Sequence, residues 1–189
     1  RHENIQVIYH AMMVGVVTSD NGSDEILGAK VFNKQGLLVI RAKMTIDASG
    51  DAEVVAMAGL PSFIGDEGKV QNPTMIFRIL GVDVEAFIKK YGDNAIKGQE
   101  VAALIQSKNE QEQYFLPRSK VFLFPTTRPD ELLCNCTRIL GDDGRELNPL
   151  FYQDFTEAEL NGREQVTEYA RFFKENLIGC EQSFVNDTG

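Results

Sequence analysis

The fold is decided by one stretch of sequence, Ile46-Asp47-Ala48-Ser49-Gly50-Asp51. An apolar run ends here in small residues, a glycine and an acid. Small residues let a backbone approach a flat or charged ligand closely, and a carboxylate accepts hydrogen bonds from ligand hydroxyls or caps a helix. Because strand–Gly–Asp–helix turns are common, the stretch taken alone favours a structural turn over a binding site.

A short helix is predicted directly after this stretch, over residues 52–58. Asp51 is expected to be its N-cap, and Glu53 suits the positive end of the helix dipole. Gly59 is expected to take the left-handed conformation after the last turn, and Pro61 prevents the helix from continuing. The pattern is therefore a strand, a glycine turn and a short helix.

Three strands are predicted ahead of that helix, as a β-meander. Residues 5–19 are rich in strand formers and are followed by turn residues at Asp20-Asn21-Gly22. Residues 26–32 predict a second strand, and Asn33-Lys34-Gln35-Gly36 is typical of a type I turn. Residues 37–47 alternate in polarity and predict a third strand that leads into the turn.

The character of the sequence changes after about residue 72. Residues 74–80 predict a strand, Asp83 and Gly92 delimit a helix, and residues 95–107 predict a second helix. Apolar positions of the first helix recur at helical spacing: Val84, Phe87, Ile88 and Tyr91.

Two long strands, 113–124 and 131–140, are predicted next, joined by a turn-like segment over 125–130. A capping box at 156–159 opens a long helix that extends to about Ile178. Its apolar face holds Val166, Tyr169, Ala170, Phe173 and Leu177. The predicted fold class is mixed α/β (α+β): a β-meander with a closing strand, followed by a mixed sheet covered by helices.

Composition and charge exclude several classes of function. The chain is 43% hydrophobic and 25% charged, as expected of a globular domain. No apolar run approaches the roughly 18 residues of a membrane span, so no membrane association is expected. A net charge of −9 repels phosphate backbones, so nucleic-acid binding is not expected either.

Three cysteines and no secretion signal predict a reducing compartment, the cytoplasm. Cys134 and Cys136 form a C-x-C pair in a strand-like stretch, on one face of that strand. A metal site needs two further thiol or imidazole ligands, but the histidines, His2 and His10, lie far away in sequence. We therefore expect buried structural cysteines, Cys180 included, and no metal.

Motifs that would define a catalytic mechanism are not found. The glycine-rich stretch nearest to a phosphate loop is Gly65-Asp66-Glu67-Gly68, and its two acids would repel a phosphate. There is no P-loop and no nucleophile elbow. Tyr114, Tyr152 and Asp154 are possible acids or bases, but nothing in the sequence selects one of them.

The order of these features resembles the FAD-dependent oxidoreductases built on the glutathione-reductase-type flavin domain. One subfamily has I-D-A-T-G-D, a helix and A-G-x-P, and this chain has Ser49 in place of the threonine, with Ala58-Gly59-Leu60-Pro61 after the helix. Similar segments follow in family order: 117–121 (PRSKV), 124–129 (FPTTRP), 135–138 (NCTR), 155–159 (FTEAE) and Gly162-Arg163.

The resemblance implies FAD as the cofactor and two parts of a larger protein. Residues 1–61 would be the C-terminal part of the FAD-binding domain, and residues 62–189 a substrate-type or cap domain. The residues implied on the cofactor side are Met13, Ala48, Ser49, Gly50 and Asp51. Strand packing is the alternative for the Met13 side chain, and helix capping is the alternative for Asp51.

The resemblance also places the unit that grips the FAD pyrophosphate, strand–G-x-G-x-x-G–helix, upstream of Arg1. The chain would then be an internal fragment that binds FAD weakly or not at all and is inactive by itself. The complete protein would be an oxidoreductase that acts on a small organic molecule.

Four arginines in or beside predicted strands are candidates for substrate binding: Arg78, Arg118, Arg128 and Arg138. A guanidinium can clamp a carboxylate with two parallel hydrogen bonds. A solvated strand face or an ion pair with one of the 28 acids is the structural alternative. Arg118 is the first choice because it lies in the segment that resembles the family, and Arg138 is the second.

Two other classes of function remain open at this point. One is a non-redox α/β domain that binds a ligand or partner, and the other is an interaction domain whose strand edges and long helix pair with another chain. A G-x-G-x-x-G upstream would favour the flavoenzyme. The sequence leaves the substrate, the electron partner and the oligomeric state undetermined.

Overall fold

The computed structural model of the chain describes residues 2–19, 25–96 and 98–189. These residues form two compact units, Arg1–Ile64 and Gly65–Gly189, which are described separately below. The turn predicted at Asp20-Asn21-Gly22 lies outside the described residues.

The first unit contains the predicted β-meander. Strands β1 (Met12–Thr18), β2 (Ile26–Asn33) and β3 (Gly36–Arg41) pair antiparallel in the order β1-β2-β3. A short helix follows, α1 (Glu53–Met57). The meander and the helix are therefore confirmed, although β1 begins later than the predicted residue 5.

The tight turn between β2 and β3 is also confirmed. Asn33 and Gly36 are the last paired residues, and the Asn33 side chain accepts a hydrogen bond from the Gln35 amide at 2.8 Å. Gly36 has a φ of 104°, which a glycine adopts without strain.

The third strand is shorter than predicted, because residues 42–47 leave the sheet. Arg41 is the last residue of β3 in the ladder, and Ala42 donates one further hydrogen bond, to the Leu27 carbonyl. Residues 43–47 continue the alternation of polarity but pair with no strand among the described residues. Its apolar side chains are open to solvent, with Met44 81% and Ile46 86% exposed.

The second unit has one sheet and three helices. In chain order its elements are β4 (Phe77–Leu80), α2 (Val84–Tyr91), α3 (Gln99–Glu110), β5 (Phe122–Pro125), β6 (Glu131–Asn135), α4 (Tyr152–Asn176) and β7 (Phe184–Thr188). The strand order is β5-β6-β4-β7 and each pairing is antiparallel, so this sheet is not of the mixed kind that the sequence suggested. The mixed α/β class is confirmed, and β7 was not predicted.

The two long strands predicted over 113–124 and 131–140 are wrong in length, although their hairpin exists. Outside β5 and β6, several of their peptide groups bind side chains, although the Ile139 amide binds the Pro73 carbonyl at 3.1 Å. The Leu116 amide donates to Asn109 Oδ1 at 3.1 Å, and the Arg138 amide donates to Gln165 Oε1 at 3.0 Å. Apolar alternation alone does not distinguish a strand that is paired in a sheet from a segment whose peptide groups bind side chains.

The long helix α4 begins four residues earlier than predicted, so the capping box is wrong. Thr156 lies inside the helix, where its hydroxyl donates to the Tyr152 carbonyl at 2.7 Å. The predicted apolar face is confirmed, since Val166, Tyr169, Phe173 and Leu177 are buried. The predicted N-cap of α2 is confirmed as well, with the Asp83 carboxylate accepting from the Ala86 amide at 2.9 Å.

The core of the second unit lies between α4 and one face of the sheet. That face carries Phe77, Ile79, Leu123, Leu132 and Cys134. The Phe77 ring stacks on the Phe173 ring of α4 with centroids 6.4 Å apart. The strands carry their alternate residues on the opposite face of the sheet.

All three cysteines are free thiols buried in this core, as predicted. Desolvation raises the pKa of Cys134 and Cys136 well above the usual value, so both stay protonated. Among the described residues there is no group of three or more potential metal ligands. Within those same residues, no helix has the length and apolarity required to cross a membrane.

Gly179 connects the end of α4 to the start of α2, and we predict that it tolerates no side chain. Its carbonyl accepts from the Asp83 amide at 2.8 Å, and its φ is +87°. An added Cβ would lie 2.6 Å from the Asp83 carbonyl oxygen. Gly92 is the matched control, because its φ is +78° but an added Cβ would meet nothing within 4 Å.

Gly92→Ala should lower the free energy of unfolding by about 1–3 kcal/mol, because a φ of 78° with a ψ of 171° is a conformation that L side chains rarely adopt. Gly179→Ala should cost about 1–3 kcal/mol more, because the Cβ also overlaps backbone. Equilibrium urea unfolding measures both. Equal losses in the two variants would contradict this account of the α4–α2 junction.

Candidate functional site

The turn between β3 and α1 is organised by Asp47. Its Oδ1 accepts the Ser49 amide at 3.0 Å and the Ser49 hydroxyl at 2.5 Å. Its Oδ2 accepts the amides of Val54 at 3.1 Å and Val55 at 3.2 Å, which lie in the first turn of α1. One carboxylate therefore fixes both the turn and the helix that follows.

The predicted N-cap role of Asp51 is wrong. The capping position is Ala52, in the left-handed conformation with a φ of 58°, and it makes no side-chain cap hydrogen bond. The first amides of α1 bind Asp47 and Ser49 instead, with the Glu53 amide donating to Ser49 Oγ at 3.0 Å. Asp47 and Ser49 therefore take the role that was expected of Asp51. The Asp51 carboxylate has no partner among the described residues.

Hydrogen bonds lower the pKa of Asp47. The largest causes are the hydroxyl and amide of Ser49; desolvation opposes them, and the amides of Val55 and Val54 lower the pKa by smaller amounts. A carboxylate with several donors prefers its ionised form. At neutral pH it therefore acts as a fixed acceptor inside the turn.

The outer surface of this turn fits an FAD molecule at the level of residue chemistry. Residues 48–52 are exposed and small, and an added Cβ at Gly50 would meet nothing within 4 Å. A flat ring can therefore approach the backbone closely, and the free Asp51 carboxylate can accept hydrogen bonds from ligand hydroxyls. Asp47 itself is not available, since its oxygens are already engaged.

Met13, the remaining cofactor-side residue suggested by the resemblance, lies in the ladder between β1 and β2. It is half-buried and pairs with Val31, and a bulge follows it at Val14. A bulge leaves one residue outside the regular pairing and bends the strand. The Met13 side chain has the surroundings of ordinary strand packing.

In the second unit, the sheet face opposite the core carries aromatic and charged side chains in register. Phe124 pairs with Leu133, which pairs with Arg78, which pairs with Asp187. Paired residues lie on the same face of a sheet. Phe122 continues this surface next to Phe124, with the ring centroids 6.5 Å apart.

Two of the four candidate arginines are held in ion pairs. Arg78 binds Asp187 with two hydrogen bonds, of 2.8 and 2.6 Å. Arg128 lies 3.7 Å from the buried carboxylate of Glu131. For both side chains, the ion pair with an acid, which was the alternative to substrate binding, describes the observed contacts.

The Arg118 guanidinium forms no ion pair among the described residues, and the Arg118 backbone is firmly held. The guanidinium carbon lies 5.6 Å from the centre of the Phe122 ring, on the open face of the sheet. The Tyr169 hydroxyl accepts from the Arg118 amide at 2.9 Å and donates to the Arg118 carbonyl at 2.8 Å. Burial raises the pKa of Tyr169 far above its usual value, so the hydroxyl keeps the proton that it donates.

Arg138 is held in the same manner one helical turn away. The Gln165 side chain accepts from the Arg138 amide and donates to the Arg138 carbonyl, both at 3.0 Å. Arg138 lines a cleft of about 530 Å³ between α4 and two segments outside the strands, 115–117 and 138–144. Arg118 does not line this cleft, so the structure does not bring the two arginine side chains into one site.

The sequence placed Tyr169 on the apolar face of the long helix, but it did not indicate that Tyr169 and Gln165 bind backbone and so position the two arginines. Their spacing of four residues puts them on one stripe of α4. The only signal was a polar side chain and a hydroxyl at the border of the apolar face. Such a signal does not say which backbone will be bound.

The three possible acids or bases differ in their surroundings. The Tyr114 hydroxyl donates to Glu175 and accepts from Asn176, and burial is the main cause that raises its pKa. The pKa of Asp154 is lowered, mainly by the hydrogen bond from the Asn148 amide and to a smaller extent by Arg145. Tyr152 is 77% exposed. None of these arrangements marks a proton donor or acceptor for catalysis.

Comparison with known proteins agrees with the flavoenzyme class that the sequence of this turn suggested. The chain matches the family described as FAD dependent oxidoreductase over residues 1–189, and it belongs to that family. No curated protein sequence matches the chain.

One solved structure with a similar fold is a geranylgeranyl bacteriochlorophyll reductase-like protein from Thermoplasma acidophilum. The TM-score is 0.53 at 17% sequence identity, over 95% of this chain. The chain spans 36% of the length of that protein. At this identity the likeness concerns the fold.

We predict that Asp47, and not Asp51, maintains the turn. Asp47→Asn should speed amide hydrogen exchange at Val54 and Val55, because a neutral amide is a weaker acceptor than a carboxylate. Asp51→Asn, the matched control, should leave those rates unchanged. The measurement is exchange resolved by residue.

The same contacts give a pH dependence. A carboxyl whose folded pKa is depressed stabilises the fold above its ordinary pKa of 3.8, and that contribution is lost as the pH falls through the depressed value. Protection of Val54 and Val55 should therefore persist down to about pH 4 and decrease only below it. Loss of protection between about pH 5 and 7 would exclude Asp47 as the acceptor.

Proposed function

We propose that this chain is part of an FAD-dependent oxidoreductase that acts on a small organic molecule. Membership of the family supports the cofactor class. The observation that carries the proposal is the turn at Asp47–Asp51, which presents small, exposed residues and one free carboxylate on a fixed backbone. These features favour a flavoenzyme over a non-redox binding domain.

On the cofactor side, we assign the backbone near Met13 together with Ala48, Ser49, Gly50 and Asp51. FAD, when bound, supplies the redox chemistry, and the protein supplies binding, orientation and exclusion of water. Asp47 and Ser49 hold the turn, while the Gly50 backbone leaves room for a ring. Asp51 accepts hydrogen bonds from hydroxyls of the cofactor.

On the substrate side, we assign residues 62–189 as the substrate-type domain and Arg118 as its first anion-binding group. Arg118 is supported by its free guanidinium beside the aromatic surface of Phe122. A guanidinium on an aromatic face keeps hydrogen-bond donors available at its edge. Arg138 remains a ligand-binding candidate, in the α4 cleft and not beside Arg118.

We further propose that residues 1–189 alone bind FAD weakly and are inactive. The sequence contains no G-x-G-x-x-G loop, and a helix N-terminus at such a loop is what commonly binds the pyrophosphate. The buried free thiols support a reducing compartment, the cytoplasm. The acidic net charge argues against a nucleic-acid partner.

The test is a visible absorption spectrum of the 189-residue chain beside a longer form that carries its flanking sequence. The longer form should show bound flavin and the chain should be colourless. In the longer form, Asp51→Ala should lower the flavin content, whereas Asp66→Ala, an exposed acid in another turn, should not. A longer form that is colourless and cannot be reconstituted with FAD would refute the proposal.

A further inference from the structure

The α4 cleft contains two side chains of opposite charge that have no partner among the described residues. Arg138 and Glu164 both line it. The Arg138 backbone is bonded to Gln165, but its guanidinium has no partner among the described residues, and neither has the Glu164 carboxylate. A free cation and a free anion are therefore presented to one concave space.

The other charged groups of the cleft are already engaged. Glu168 binds Arg171 at 2.7 Å and also accepts from the Phe115 amide at 3.3 Å. Asp142 accepts from the Asn161 side chain at 3.0 Å. Asp142 keeps its charge, because a neutral amide binds only one of its oxygens, whereas Arg138 and Glu164 are the charged side chains of the cleft that have no partner among the described residues.

The walls of the cleft are fixed before any ligand binds. Asn161 donates to the Leu140 carbonyl at 3.0 Å, Gln165 holds the Arg138 peptide, and Glu168 holds the Phe115 amide. These three side chains project from one stripe of α4 and bond to the backbone of the two segments opposite, 115–117 and 138–144. A site whose walls need no reordering retains more of its binding free energy.

The rest of the lining is apolar. Phe115 is 79% exposed although it is a large aromatic side chain, and Pro117 and Leu140 lie beside it. A volume of about 530 Å³ falls in the range that binds small molecules. The exposed ring offers a surface on which an apolar or aromatic group can pack.

We propose that this cleft binds a small zwitterion of the amino-acid type, whose carboxylate meets Arg138, whose ammonium meets Glu164 and whose apolar side chain packs on Phe115. The site goes beyond the proposed function. It requires no flavin, and it uses neither the turn at 47–51 nor Arg118.

The test uses the 189-residue chain and three probes that differ in charge. L-Phenylalanine carries both charges, phenethylamine only the cation, and 3-phenylpropionate only the anion. Two-dimensional amide NMR titration should show saturable binding of L-phenylalanine, with shifts concentrated at Phe115, Leu140 and Glu164. Each singly charged probe should bind at least about tenfold more weakly, because one charge-assisted hydrogen bond is missing.

Arg138→Gln and Glu164→Gln should each weaken the binding of L-phenylalanine by about tenfold or more. Arg163→Gln is the matched control on α4, since Arg163 pairs with Glu159 at 3.0 Å and does not line the cleft. Glu110→Gln is the control for the lost carboxylate, and both controls should bind as the parent chain does. Amide spectra of all four variants report whether the fold is retained.

Three results would overturn the inference. One is no saturable binding of L-phenylalanine up to about 10 mM, a concentration that reveals even very weak sites. Another is binding that both cleft variants leave unchanged. The third is phenethylamine binding as tightly as the zwitterion, which would make the cleft a site for cations. None of these results depends on whether the longer protein binds flavin.

Discussion

The second unit depends on hydrogen bonds from one stripe of α4 to backbone that no strand satisfies. Peptide groups that leave a sheet still require partners, and side chains of α4 supply several of them in the two segments beside it. Tyr169 binds both polar groups of the Arg118 peptide, and Gln165 does the same for Arg138. Glu157 adds a bond to the Asp142 amide at 2.8 Å. Side chains of α4 thereby make hydrogen bonds of the kind that a neighbouring strand would otherwise make.

This arrangement determines where the candidate ligand groups lie. Because the peptides of Arg118 and Arg138 are fixed, their side chains leave the backbone at defined positions. One guanidinium stands over Phe122 on the open face of the sheet, and the other lines the cleft beside α4. In the first unit, Asp47 performs an equivalent task, since one carboxylate fixes the backbone that Gly50 and Asp51 present.

The sequence predicted elements well where local signals are strong. The meander, the Asp83 cap and the apolar face of α4 follow from turn chemistry and periodicity. The sequence failed where long-range contacts decide. Asp51 was the obvious cap, yet Asp47 reaches the helix from further back. The segments over 113–121 and 136–140 have strand-like patterns, but side chains of distant residues bind their peptide groups. No local pattern contains that information.

The account is tested most directly by amide hydrogen exchange at Arg118 and Arg138. Both amides lie outside the strands, so their protection depends on α4 alone. We predict that both exchange slowly, and that Tyr169→Phe releases the Arg118 amide but not that of Arg138. Tyr152→Phe, an exposed tyrosine on the same helix, should change neither. Exchange of both amides in the parent chain at the rate of an unstructured peptide would contradict the account.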